Sequence, residues 1–220
     1  MFVNCDRPAG SLVAKLPNTK ELYYVPIQVD LDTLSPSAAQ GLLLQFDAAV
    51  RTAIAQCKGF FLDGENRFLS IVRTALLPED AMPRDHAGVN NYFNTHYQRL
   101  ARSGIQVCVS TTASPVWAGA KTKTDGMDRK GFGDTRSWLN TELYVHCPEI
   151  AVPTEKAQVE AGVGKVNVVT VPDKRTHMSK VVTSKLKESL LGLDLADVTF
   201  DMLYRMVLGK EYNNGNSTEV

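Results

Sequence analysis

Apolar side chains in this chain recur with two periods, and each period predicts an element. Leu43, Phe46, Val50, Ile54 and Cys57 are spaced three and four apart, which places them on one face of a helix. Ser35-Pro36 supplies its start and Gly59 its stop, because a serine caps free N–H groups and a proline at the first position lacks the one it would leave unpaired. Val89, Tyr92, Phe93, Tyr97 and Leu100 keep the same period up to Gly104 and predict a second helix. Met178, Val182, Leu186 and Leu190 lead to Gly192 and predict a third, while Leu195, Val198, Met202 and Met206 lead to Gly209 and predict a fourth. The link between these last two is short, so they are expected to form a C-terminal αα-hairpin.

Strand patterns fill the intervals. Residues 21–31 are rich in Tyr, Val and Ile, with Pro26 marking an edge or a bulge. Residues 60–62 and 67–77 flank Asp63-Gly64-Glu65-Asn66, a composition that predicts a tight turn between antiparallel strands. Residues 105–111 alternate apolar and polar, and residues 143–147 and 166–171 look similar. The expected fold is therefore α+β, with a mixed or largely antiparallel sheet of about five to six strands packed with about four helices. No internal repeat or low-complexity linker divides the chain, so residues 1–212 read as one domain and the polar residues 213–220 as a tail.

Composition narrows the classes. With 220 residues, 44% apolar and 22% charged, a chain of this size buries about 70% of its unfolded surface and needs no staples. Lys plus Arg equals Asp plus Glu at 24 each, so no whole-molecule field gathers polyanions or anionic membranes, and an electrostatic partner must be met locally. Residues 121–188 hold a modest excess, twelve bases against nine acids. Cys5, Cys57, Cys108 and Cys147 lie far apart, with no CxxC pair and no histidine at zinc-ligand spacing, which suits free thiols in a reducing cytoplasm and not zinc. No secretory leader pattern and no run of 18 apolar residues is found, so neither export nor membrane spanning is expected.

Candidate chemistry concentrates between the strands near Cys108 and Tyr144. About 25 residues of loop-like composition carry Gly119, Gly126, Gly131 and Gly133, the bases Lys121, Lys123, Arg129, Lys130 and Arg136, and the aromatics Trp117, Phe132 and Trp138. Loops that long are usually functional or disordered. Cations interleaved with rings suit single-stranded nucleic acid, where phosphates meet the charges and bases stack on the rings. Asp125, Asp128 and Asp134 cut the net charge of the stretch to plus two, too little for tight unaided binding. Lys130-Gly131-Phe132-Gly133 resembles the start of the aromatic strand motif of RNA-recognition motifs, but Asp134-Thr135-Arg136 departs from it at once and the assignment is not made.

A second basic stretch carries Lys174, Arg175, Lys180 and Lys187, a secondary candidate for anion contact, with Lys180 and Lys187 two turns apart on the expected helix. The fourth expected helix bears Phe200, Leu203, Tyr204 and Val207 among other apolar residues, more than one core face requires, which suggests a partner. His86, His96, His146 and His177 have no metal-ligand spacing, and Asp30-Leu31-Asp32 is too common a pattern to assign a cation. No GxSxG, GxxxxGK[ST] or strand-linked GxGxxG occurs. The expectation is a non-enzymatic binding or assembly protein without cofactor. It self-associates or docks on a larger complex through the long loop and its termini. Single-stranded nucleic acid and a small-molecule enzyme with scattered residues are the alternatives.

Overall fold

The computed structural model describes residues 1–6, 22–118, 122–146, 149–153, 168–172, 178–184, 191–192, 194–196, 202 and 205. The chain divides into two units, Met1–Leu139 and Asn140–Val220. The first begins with β1 (Phe2–Asn4), β2 (Tyr24–Pro26), α1 (Pro36–Gln56), β3 (Gly59–Asp63) and α2 (Glu65–Leu76). A short 3-10 turn at Pro83–His86 leads into α3 (Ala87–Arg102), β4 (Gln106–Val109), β5 (Ala113–Ala118), β6 (Thr122–Arg129) and α4 (Thr135–Trp138).

β2, β1, β3 and β4 lie in that order in one sheet, and all three pairings are parallel. A parallel step needs a crossover, and helices supply it. From β2 to β3 and from β3 to β4 the chain moves in the same direction across the sheet, so right-handed crossovers put α1, α2 and α3 on one face. Val3, Phe60 and Leu62 of the sheet are buried there with Phe46, Val50, Phe68, Ile71, Val72 and Leu100 of the helices. Ser35 caps α1 by accepting from Ala38 N, and Gly104 at φ 76° follows α3.

These observations overturn the expected mixed or antiparallel sheet of five to six strands with four helices. Among the described residues the sheet formed by β2, β1, β3 and β4 is four-stranded and wholly parallel, with three crossover helices. The misreading begins at Asp63-Gly64. Gly64 is left-handed at φ 83° as a hairpin turn would require, yet it serves as the N-cap of α2. Phe68, Ile71, Val72 and Ala75 recur at helical spacing and are buried, so burial of that stripe overrides the strand preference of the β-branched residues.

The second unit contains β7 (Thr141–His146), β8 (Glu149–Pro153), β9 (Val168–Pro172), β10 (Met178–Ser184) and β11 (Asp194–Ala196). β11, β10 and β7 form an antiparallel sheet, and β8 pairs with β9 antiparallel. The start of the third expected helix is thus β10, a correction to the αα-hairpin as well. In the run MSKVVTS adjacent Val181, Val182 and Thr183 favour extended backbone. Of the fourth expected helix, Met202 and Arg205 are described and helical, whereas Asp194–Ala196 at its start is β11.

α1 and α3 meet through a polar contact. His96 Nε2 lies 3.0 Å from Asp47 Oδ1, and Tyr92 Oη donates to the same oxygen at 2.8 Å. His96 is buried, with Nδ1 unpartnered among the described residues. Burial holds its pKa below the usual 6.5, Arg99 and Arg51 add to that, and Asp47 opposes it. A depressed folded-state pKa means that the unfolded chain takes up a proton which the folded chain refuses. Stability present above about pH 6.5 is then lost as pH falls. Urea midpoints should drop between about pH 7.5 and about pH 5, and His96→Phe should flatten that dependence; an equal slope in the variant would refute the assignment.

Candidate functional site

β1 and β3 are neighbours whose onward connections leave in opposite directions, the point at which open parallel sheets commonly receive ligands. Here protein groups fill the described part of that junction. Ser110 Oγ donates to Asp63 Oδ1 and accepts from Gly64 N at 3.0 Å. A Cβ on Gly64 would come within 3.1 Å of Asp6, so the turns after β1 and β3 are in close contact. The Cys5 thiol beneath them is pushed up to about 12 by burial first and by Asp63 next.

Glu65, the first residue of α2, is wholly buried. Its carboxylate accepts from the Arg129 guanidinium, from Tyr97 Oη, from Thr135 Oγ1 at 2.5 Å and from Phe132 N at 3.2 Å. Arg129 also donates to Phe132 O at 2.9 Å. Tyr97 stays a protonated donor, because burial and then the Glu65 charge hold its pKa well above the usual value. Gly131 crosses directly over the carboxylate at φ 137°, where a Cβ would overlap Glu65 Oε2. Four donors therefore satisfy a charge that burial alone would strongly disfavour.

The stretch expected as a long loop is mostly a β-ribbon. β5 and β6 pair antiparallel, with a register shift between Pro115 and Trp117, and the two strands form a sheet of their own among the described residues. Trp117 and Lys123 are register partners; Lys121 lies outside the described residues. Lys130 is exposed, and Arg136 sits in α4. Phe132 is buried and stacks on Phe93 with ring centroids 4.8 Å apart, while half-buried Trp138 donates Nε1–H to Asn94 Oδ1 at 2.9 Å. The structure thus brings Arg129, Phe132 and Trp138 to the root of the ribbon, packed against the parallel unit.

The other candidates are dispersed. Lys180 lies in β10 opposite Tyr144 and Asp194, so the two-turn helical relation to Lys187 does not hold. Lys174, Arg175, Lys187, Phe200, Leu203, Tyr204 and Val207 lie outside the described residues. Asp30 Oδ1 accepts from Asp32 N at 3.1 Å and closes its own turn. Among the described residues no group of three His, Cys, Asp or Glu could hold a metal ion, and no helix is long and apolar enough to cross a membrane. A groove of about 310 Å³ at the β2 edge is lined by Met1, Tyr23, Tyr24 and Val25 together with α1, with no carboxylate or histidine among the described lining residues.

Sequence reasoning missed Glu65, Tyr97 and Thr135. Their partnership spans 32 and 70 residues, and no local pattern marks it. No protein-family model matches the chain, and no curated protein matches it either.

Raised thiol pKa and burial together make Cys5 inert, because the thiolate is the nucleophile. Burial and then Asp63 raise the Cys108 thiol as well, so it is exposure that separates the two: iodoacetamide at about pH 8 should modify Cys108 slowly and leave Cys5 unreacted until urea is added. Cys5 labelling at the Cys108 rate in the native protein would contradict this packing.

Proposed function

We propose that the chain is a non-enzymatic binding and assembly protein of the cytoplasm whose contact element is the β5–β6 ribbon. One observation carries the reading: the ribbon pairs with no other described strand, yet its root is fixed by a buried ion pair and a stacked ring. A lone two-stranded hairpin is marginal in water, so such anchoring of an element that adds no strand to the parallel sheet supports a task directed outward. The groups of Asp63 and Glu65 at the sheet end are engaged internally, which favours a binding role over a catalytic one. Cys5, Cys57 and Cys108 are free thiols, in keeping with a reducing compartment. The termini, with Phe200, Leu203, Tyr204 and Val207, remain the second proposed contact. Sedimentation velocity should show mass rising with concentration, and Trp117→Ala with Lys123→Ala should suppress the rise. A monomer at every concentration would remove self-association.

A second reading makes the partner single-stranded nucleic acid, favoured by the register pairing of Trp117 with Lys123, an aromatic and a basic residue opposite one another in the ribbon. Arg129 is committed to Glu65, so Lys121, Lys123, Lys130 and Arg136 are the cations left to neutralise phosphates, for a slope of log affinity against log salt of about −2.8. Anisotropy of a labelled thymidine strand of about 30 nucleotides should show that slope. Lys121→Ala with Lys123→Ala should reduce it by about 1.4; no salt-sensitive binding by the native chain would reject the reading.

A further inference from the structure

We infer that Glu65 is the positioning residue of the β5–β6 ribbon: this one residue, through backbone and side chain, holds both legs of the ribbon where they leave the parallel sheet. The outgoing leg follows β4 through residues 110–112. There Glu65 N donates to Ser110 O at 2.9 Å. The returning leg ends β6 at Arg129 and runs through Gly131 to Phe132, and there the Glu65 carboxylate holds the guanidinium and Phe132 N. Lys130 N donates to Thr112 O at 2.7 Å and closes the root between the legs. Beyond that closure the ribbon pairs with itself alone among the described strands, so loss of the carboxylate leaves it as a marginal two-stranded element. The inference deepens the binding reading and rests on it for one consequence, that partner affinity follows the state of this root; the root itself is tested without a partner.

Hydrogen exchange on the full chain separates positioning from general support. Glu65→Gln keeps the shape and the acceptor while removing the charge, so amides of residues 113–130 should lose about ten- to a hundredfold of protection. Amides of β1, β3 and α1 should keep theirs. Because Glu65→Gln leaves the Arg129 charge unmatched, Glu65→Gln with Arg129→Gln is the second variant, expected to restore overall stability while the ribbon stays released. Uniform loss of protection across Met1–Leu139 in both variants would overturn the inference, as would a ribbon protected as in the native chain. In the thymidine-strand assay the variant carrying both Glu65→Gln and Arg129→Gln should bind more weakly with an unchanged salt slope, since the cations left to meet phosphates are the same and only their placement differs. If the native chain neither binds the strand nor self-associates, the binding reading fails while the exchange pattern still decides the role of Glu65.

Discussion

A carboxylate with no exposure to water is the constraint around which the first unit is arranged. Burying an isolated charge is prohibitive, and breaking a buried pair by removing one partner costs about 3–5 kcal/mol. Glu65 therefore requires its donors, and they come from Tyr97 in α3, Arg129 in β6, and Phe132 and Thr135 beyond it. Three separate stretches must converge before the charge is satisfied. Burial of Glu65 thus couples formation of the parallel unit to docking of the ribbon root, and the stack of Phe132 on Phe93 forms in the same event.

Much of the helical layer was legible in sequence. The spacing of Leu43, Phe46 and Val50 gave α1 its buried face, and the Ser35-Pro36 start is realised as a cap. Val89, Phe93, Tyr97 and Leu100 did the same for α3. Sheet direction was not legible, because it depends on what lies between strands. Once residues 67–77 are read as a strand, a hairpin follows; once 65–76 are a helix, the hairpin is excluded and β3 and β4 pair in parallel across the crossover. One dipeptide, Asp63-Gly64, is compatible with both, since a left-handed glycine serves a tight turn and a helix start alike.

The ribbon was hidden for a different reason. Its strands contain Pro115, Gly126 and several charges, residues that a strand packed on a core would not tolerate but that a two-stranded ribbon accommodates. Within the same stretch, charges that looked alike in sequence have separate roles. Arg129 is neutralised by a buried partner, whereas Lys130, the next residue, is exposed. A count of basic residues therefore overstates what a polyanion could reach, and only the fold distinguishes the structural cation from the available one.

A purely apolar anchor would have stabilised the root as well, since well-packed apolar groups often equal or exceed buried ion pairs in stability. Direction is what the ion pair adds. An apolar contact tolerates sliding and rotation, but a carboxylate that accepts from a planar guanidinium, a backbone N–H and two hydroxyls fixes position in several directions at once. Gly131 reinforces this, because no side chain could be placed between backbone and carboxylate at that crossing. For a ribbon with no neighbouring strand among the described residues to set its register, such a fixed root is the feature that determines where Trp117 and Lys123 are carried.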